Sequence, residues 1–257
     1  YKPGAGGNIA ADAVARMKGD GHQFLMTGSS TQAANVSLYK TLPFDPEKDF
    51  APIASMATVP YILVVNPARV PVSTFQEFVA FVKSRPGQLS YASSAITGRL
   101  AGEILKQRLG LQATFVPYKT LAQVVSDIIG GHLDYAFGDP QGYLPHVHSG
   151  RLRAIAVTTR ARIAAASDIP TLAESGVADF DVSAWLALYG KAGMPAFAIQ
   201  RFNQLINEVL EAPDGQAFLT SIGLQPLLGK PDQLAALQKR DTLAWAQAIR
   251  AAGITIE

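Results

Sequence analysis

The middle of the chain repeats one pattern, in which a short apolar run passes through a polar turn into an amphipathic segment. The apolar runs are LSYA at 89–92, TFVPY at 114–118 and DYAFG at 134–138. Short apolar runs bounded by turn residues predict buried strands, and apolar residues at spacings of three and four predict helices. Alternation of such strands and helices predicts an α/β fold built on open parallel sheets.

The remaining apolar patterns extend the same fold to both ends of the chain. Three more runs predict strands, and three amphipathic stretches predict helices, the last two separated by Pro213 and Gly215. The predicted strands are QFLMT at 23–27, PYILVV at 60–65 and LRAIAVT at 152–158, and the predicted helices lie around Phe75, Phe78, Val79 and Val82, at about 198–211 and at 231–251.

The chain opens with the glycine-rich stretch YKPGAGGN, which leads into a predicted helix. We expect Asn8 to be its N-cap and Ile9, Ala13 and Met17 to share one face. A glycine-rich turn before a helix can bind an anion, because free backbone N–H groups and the positive end of the helix dipole point the same way. GAGGN lacks the spacing of the dinucleotide-binding GxGxxG motif.

Composition excludes several classes of protein. The 257 residues are 48% hydrophobic, enough for one large domain or two small ones. The 22 Lys and Arg against 20 Asp and Glu leave a net charge of +2, which is too balanced for a nucleic-acid-binding protein. The chain has no cysteine, and its apolar runs are far shorter than the roughly 20 residues that cross a bilayer. It begins with Tyr1, so we expect a processed or trimmed start that hides any export signal.

Polar residues recur at the points where predicted strands lead into helices. Because ligands bind beyond the carboxyl ends of strands in such sheets, hydroxyls and backbone N–H groups gathered there could hold a carboxylate. The alternative is that each residue only caps its own helix, since Ser, Thr and Asp are the preferred caps. For Asp139, followed by Pro140, we expect a cap on a short helix. The recurring residues are Ser29, Ser30, Thr31, Ser93, Ser94, Thr97, Thr120 and Asp139.

Two cations and one aromatic residue extend this candidate site. Arg99 and Lys119 lie in the same turns, where each could bind a carboxylate or be a solvated charge at a helix end. Trp185 could form a pocket wall or pack in a core. The four histidines, with only His146 and His148 close in sequence, make a poor metal site. No catalytic motif is present, so we expect a protein that is not an enzyme and needs no cofactor or metal.

Several separated motifs together resemble one family, and they occur in its order through nearly the whole chain. They resemble the Bug-type extracytoplasmic solute receptors of tripartite tricarboxylate transporters. The motifs that carry the resemblance are KPGAGGNIAADAVAR, YKTLPFDPEKDFAPI, YASS, FVPYK, LPHVHSGRLRAIAVT and DIPTLAESG.

This resemblance implies a periplasmic binding protein of the type II-like kind, with two α/β lobes joined by crossing strands. Lobe 1 would comprise residues 1–66 and 184–257, and lobe 2 residues 67–183, with PYILVVNP and SAWLALYG as the crossings. A small carboxylate would be held in the interlobe cleft, and lobe closure would signal to the membrane subunits of the transporter.

The resemblance also assigns roles to residues. Positions that match the family's ligand-binding loops are Ser29, Ser30, Ser93, Ser94, Thr97, Lys119, Thr120 and Asp139, and the opening glycines become a structural turn. The family's N-terminal strand, glycine-rich turn and helix are missing here. We therefore expect a fragment, a trimmed start, or a strand supplied by exchange with another chain.

Two departures from the family pattern bear on the ligand. Arg99 ends a shortened turn, where it could pair with a second carboxylate. Asp139 follows Gly138, where the family often has an acidic residue. If Asp139 faces the ligand it would favour an ammonium group and oppose a dianion, and if it only caps its helix it says nothing about the ligand.

The sequence therefore predicts a solute receptor for a small organic carboxylate, bound through amides and hydroxyls. The rival hypothesis is a ligand-sensing domain that signals to a partner protein, because a fold does not fix a function. An enzyme ranks third and would require turnover of a bound acid.

Overall fold

A computed structural model of the chain describes residues 5–254. The chain forms two compact units. Unit 1 comprises the residues up to Thr58, Ala184–Leu219 and those from Gln225 onwards, and unit 2 comprises Val59–Ser183 and Thr220–Leu224.

Unit 1 is built on a four-stranded sheet among its described residues, in the order β1-β8-β2-β9 when strands are numbered along the chain. Strand β1 is antiparallel to β8, with Phe24 opposite Gly190, and β2 is antiparallel to β9. Its elements are α1 (Asn8–Ala15), β1 (Phe24–Gly28), a π-helix (Ser30–Ala34), α2 (Asn35–Leu38), β2 (Phe50–Val59), β8 (Ala184–Lys191), α7 (Ala196–Glu211), β9 (Gln225–Pro226) and α9 (Pro231–Ala251), with α8 (Pro213–Ser221) at the boundary.

Helix α1 differs from its prediction. Gly7, at φ 92°, occupies the N-cap position, and Asn8 is the first helical residue. The Asn8 side chain is buried and accepts a hydrogen bond from Asn35 Nδ2 at 2.7 Å. The buried face therefore runs through Asn8, Ala11 and Val14, while Ile9 and Met17 are exposed. The prediction was wrong because Asn8 is buried against Asn35, which is distant in sequence, so a different face of the helix packs against the core.

Unit 2 is built on a five-stranded sheet among its described residues, in the order β5-β4-β6-β3-β7. The sequence predicted each of these strands to within about two residues. Its elements are β3 (Ile62–Val65), α3 (Phe75–Lys83), β4 (Ser90–Ser93), α4 (Ile96–Leu109), β5 (Thr114–Pro117), α5 (Leu121–Ile129), β6 (Tyr135–Gly138), α6 (Pro140–His148) and β7 (Arg153–Val157).

The unit 2 sheet is mixed, whereas the sequence predicted a parallel one. Strand β4 is parallel to β5 and β6, but β3 is antiparallel to both β6 and β7. The carboxyl ends of β4, β5, β6 and β7 and the start of β3 therefore lie along one edge, which we call the C-terminal edge. This pairing also moves the unit boundary from the predicted residue 66 to between Thr58 and Val59, because β3 belongs wholly to the unit 2 sheet.

Both faces of this sheet are covered. Leu63 and Val65 of β3 pack in a core with helix α3, and Ile62 and Val64 pack in a second core with α5 and α6. Successive residues of a strand point to opposite faces, so a strand covered on both sides is apolar throughout. This is why the run ILVV shows no alternation. The two covering layers hold the sheet edge, and the turns on it, in place.

Candidate ligand-binding site

The C-terminal edge of unit 2 brings together polar groups from separate strands. Ser93 ends β4, Asp139 follows β6, and Tyr61 precedes β3. Because Ile62 pairs with Gly138 across the sheet, Tyr61 and Asp139 are neighbours at this edge. Sequence reasoning missed Tyr61, since nothing in the run PYILVV tells which way the strand runs.

The turn between β4 and α4 is held by a tight packing contact. Ser93 is buried, and its Oγ accepts a hydrogen bond from Ala95 N at 3.2 Å, while Ser94 is half-buried. A Cβ atom at Gly98 would lie 2.2 Å from Ser93 Oγ and 2.9 Å from the carbonyl oxygen of Phe137. Glycine at this position therefore lets the first turn of α4 approach β4 and β6 closely.

Helix α4 begins without a side-chain cap. Its N-cap residue is Ala95, which has no side chain to accept from the first-turn amides. The first N–H groups of a helix have no partner within the helix, so an uncapped N-terminus is a ready anion site. By contrast, Thr120 Oγ1 accepts from Gln123 N at the start of α5, and Asp139 Oδ1 accepts from Gly142 N at the start of α6.

Thr97, the second residue of α4, is fully buried, and its Oγ1 has no hydrogen-bond partner among the described residues. The nearby Thr97 side chain lowers the pKa of the Tyr61 phenol, but the two groups do not reach the distance and angle of a hydrogen bond. A buried polar group without a partner costs about 1–3 kcal/mol, which points to a binding role.

The backbone of Tyr61 is fixed by Thr158 at the end of β7. Tyr61 N donates to Thr158 Oγ1 at 3.1 Å, and Thr158 N donates to the Tyr61 carbonyl at 2.9 Å. The phenol is buried, and burial raises its pKa above the usual value, with the charge of Asp139 adding to the rise. Tyr61 is therefore a neutral hydroxyl at this edge.

Asp139 caps α6, as the sequence predicted, with Pro140 as the first helical residue. Its carboxyl group is half-buried. Burial raises the pKa of Asp139 above the ordinary value, and two backbone N–H groups, of Gly142 and of Asp139 itself, lower it in part. The cap uses Oδ1 and leaves Oδ2 for another contact.

Tyr143 is a second residue that sequence reasoning missed. It lies one helical turn after Asp139, is fully buried, and its hydroxyl has no hydrogen-bond partner among residues 5–254. Burial raises the pKa of Tyr143, and the charge of the nearby Asp139 raises it further. A Cβ at Gly138 would lie 2.1 Å from the Tyr143 ring, so glycine there admits the tyrosine.

The two predicted cations have contacts of their own. The Arg99 guanidinium carbon lies 4.6 Å from the centre of the Phe115 ring, on β5, and its Nε is buried without a partner among the described residues. Lys119 is exposed and borders a surface pocket of about 520 Å³, with Tyr118 and Asp127. Neither cation forms a hydrogen bond or ion pair with Thr97 or Asp139 within residues 5–254. Thr120 is exposed and caps α5.

The predicted residues of unit 1 are used largely in internal bonds. Ser29 is fully buried, and its Oγ accepts from Trp185 N at 3.4 Å. Thr31 Oγ1 donates to the Gly6 carbonyl at 2.9 Å, so it holds the opening glycine-rich turn. Ser30, the first residue of the π-helix, is half-buried.

Trp185 packs in the unit 1 core rather than in a pocket wall. It is buried, and its Nε1 donates to Asp241 Oδ2 of α9 at 2.8 Å. The indole thus has its polar partner inside the unit.

A third missed residue, Gln32, is fully buried in the π-helix, and neither atom of its amide has a partner among the described residues.

Within residues 5–254, no three His, Asp or Glu residues are grouped as metal ligands would be. Over the same range, no helix combines the length and apolar character that crossing a membrane requires.

Both units have polar groups where strands lead into helices, which is where ligands bind in α/β folds. Residues 1–254 match the family described as tripartite tricarboxylate transporter family receptor. The chain belongs to this family of solute-binding receptors. The resemblance carried by the sequence motifs, and the class of fold it implied, are confirmed.

Individual relatives agree with this assignment. BugT from Bordetella pertussis is 30% identical over 259 residues, which cover 100% of this chain and 79% of the relative. The solved structure of R. palustris Rpa4515 with adipate is 30% identical, with a TM-score of 0.93, over 99% of this chain and 86% of that one. MatC from Rhodopseudomonas palustris with bound malate is 26% identical, with a TM-score of 0.82, over 96% of this chain and 85% of that one.

Proposed function

We propose that this receptor captures a small organic carboxylate at the C-terminal edge of the unit 2 sheet. The observation that carries the proposal is the Thr97 hydroxyl, fully buried and unpartnered on the first turn of the uncapped helix α4. The ligand carboxylate would accept hydrogen bonds from this hydroxyl and from first-turn amides of α4.

Electrostatics favours an anion at this position. The N-terminus of a helix carries a partial positive charge that stabilises an anion by about 0.3–1 kcal/mol, and by up to ~2 kcal/mol in a partly buried setting. Hydrogen bonds to a charged acceptor contribute roughly 1.5–3 kcal/mol each. Amides and hydroxyls can therefore hold a carboxylate without a cation, which suits a protein that must also release its ligand.

The ligands of two relatives support the same chemistry. Rpa4515 is solved with adipate and MatC with malate, and both ligands are small dicarboxylates. For this chain we propose a mono- or dicarboxylate of similar size, bound without turnover. We also propose that the receptor works in the periplasm and delivers its ligand to the membrane subunits of a tripartite transporter.

Of the predicted residues, we keep Thr97, Ser93 and Ser94 as ligand-binding groups, with Asp139 beside them. Lys119 and Thr120, both exposed at the next strand end, remain available to the far end of a longer ligand. We leave Trp185 and Thr31 out, because each already donates its side-chain proton to a partner within unit 1.

The test is the variant Thr97→Val, which removes the hydroxyl and keeps the shape. Isothermal titration with adipate and malate should show an affinity about 10- to 150-fold weaker, because a hydrogen bond to a charged group is lost. Stability against urea should stay equal or rise, since the hydroxyl has no partner in the free protein.

The matched control is Thr74→Val, in the cap of α3 near the opposite edge of the same sheet. Thr74 Oγ1 accepts from Glu77 N at 3.2 Å in a capping box, so its loss should cost about 1 kcal/mol of stability and leave binding unchanged. The proposed site is refuted if Thr97→Val binds with unaltered affinity, or if Thr97→Val and Thr74→Val lose affinity equally.

A further inference from the structure

Asp139 is a carboxyl group set among neutral hydroxyls at the edge where the ligand carboxylate would bind. Tyr61 directly precedes β3, Thr97 lies on α4 and Tyr143 on α6, and all three side chains are buried. The hydroxyls of Thr97 and Tyr143 have no partner among the described residues. These three O–H groups and the acid come from neighbouring elements at the C-terminal edge of one sheet, with Ile62, next to Tyr61, paired to Gly138, next to Asp139.

No cation offsets this acid within the described residues. Burial is the largest cause of the raised pKa of Asp139, and the groups that oppose it are two backbone amides, with no arginine, lysine or histidine of residues 5–254 contributing. The neighbouring ionisable groups, Tyr61 before β3 and Tyr143 on α6, are neutral phenols. The segment 220–224, whose Gly223 packs against Pro140, contains no ionisable residue.

We propose that the site takes up a ligand carboxylate together with one proton, which Asp139 carries on Oδ2 and donates to a carboxylate oxygen of the ligand. This inference rests on the proposed function and specifies the ligand's charge state at the same site. The proton comes from solvent, so an ionised Asp139, one proton and one ligand carboxylate give a neutral acid hydrogen-bonded to an anion.

The cap geometry allows this arrangement. Oδ1 accepts the Gly142 amide at 3.2 Å, so the proton falls on the oxygen that the cap does not use. Two carboxylates that share a site cannot both stay ionised without strong repulsion, and one of them takes a proton. An acid–carboxylate hydrogen bond is also short and strong, since its acceptor is charged.

The hydroxyls favour this arrangement over an ammonium ligand. Thr97 and Tyr143 each offer a proton that no described residue accepts, and an ammonium group has no lone pair to accept it. A carboxylate has about four acceptor positions, enough for these donors and for the Asp139 proton. The structure therefore assigns Asp139 as a residue that selects a bare carboxylate plus a proton over an amine.

The experiment compares the wild-type protein with Asp139→Asn. Asparagine caps a helix as well as aspartate does and cannot ionise, so the variant keeps the α6 cap and removes only the titration. Adipate and malate are titrated calorimetrically from pH 5.5 to 8.5, in pairs of buffers that differ in ionisation enthalpy, which yields the number of protons taken up.

Wild type should take up close to one proton per ligand at the upper end of this pH range. Its affinity should fall there by up to tenfold for each unit that the pH rises. Asp139→Asn should take up none, hold a constant affinity, and bind more tightly than wild type at pH 8.5. The inference is overturned if Asp139→Asn binds more weakly than wild type at every pH, or if wild type takes up no proton on binding. Either result would leave the receptor function intact.

A failure of the proposed function has a different signature. If neither protein binds any mono- or dicarboxylate at any pH, both the function and the inference fall. If both bind and Asp139→Asn matches wild type in affinity and proton uptake, only the role of Asp139 falls.

Discussion

Substituting Gly98 by alanine tests how the first turn of α4 is held against the sheet. An alanine Cβ would lie 2.2 Å from Ser93 Oγ, 2.9 Å from Ser93 Cβ and 2.9 Å from the Phe137 carbonyl oxygen. Real Cβ atoms do not approach other heavy atoms this closely, so the helix must shift. The Phe137 carbonyl belongs to β6, in the middle of the sheet, and cannot rotate away.

Two opposing effects decide the magnitude. Alanine is about 1 kcal/mol more favourable than glycine within a helix. Overpacking a tight contact costs typically 1–3 kcal/mol, and here three contacts fall under 3.0 Å. We expect the clash to win, with a net loss of about 1–2 kcal/mol and a melting temperature lower by roughly 2–8 °C.

Binding should weaken as well, because the first turn of α4 carries Thr97 and the proposed first-turn amides. Gly102→Ala is the matched control on the same helix, where a Cβ would lie 2.3 Å from the Tyr91 ring, one turn further from the site. Urea denaturation and calorimetric titration of both variants measure the two effects. The reasoning is refuted if Gly98→Ala gains about 1 kcal/mol, as helix propensity alone predicts, and binds like wild type.

Two further predictions concern Trp185 and Asp139. Trp185→Phe removes the hydrogen bond to Asp241 and part of a buried ring, so urea denaturation should show a loss of about 2–4 kcal/mol; an unchanged midpoint would contradict a core role. Because burial raises the pKa of Asp139, the folded protein loses relative stability as pH rises from the ordinary aspartate pKa through the raised one. The melting temperature of Asp139→Asn minus that of wild type should therefore be smallest near pH 4, rise as pH increases, and level off; a constant difference would contradict the shift.

The local parts of the proposed site could be predicted from the sequence. Strands β4, β5 and β6 and the helices that follow them were predicted, because short apolar runs and helical spacings are properties of neighbouring residues. The cap at Asp139 was predicted for the same reason, since a capping side chain bonds an amide only three residues ahead.

The residues that sequence reasoning missed depend on distant partners. Tyr61 lies at the same sheet edge as Asp139 because β3 runs antiparallel to β6, and an apolar run carries no sign of its direction. Trp185 was a candidate pocket wall until its partner Asp241, 56 residues away, placed it in the core. Thr31 was a candidate ligand group, but the Gly6 carbonyl, 25 residues away, takes its proton.

By itself, the sequence determined the alternation of strands and helices, the polar turns between them and the family to which the chain belongs, because each is written in neighbouring residues or in motifs kept in order. Only the tertiary structure decided which of the polar groups stay unpartnered. A hydroxyl can donate to a ligand only if no other group of the protein already accepts its proton, and that depends on which distant residues fold against it. Thr97 kept its hydroxyl unpartnered, whereas Thr31 did not.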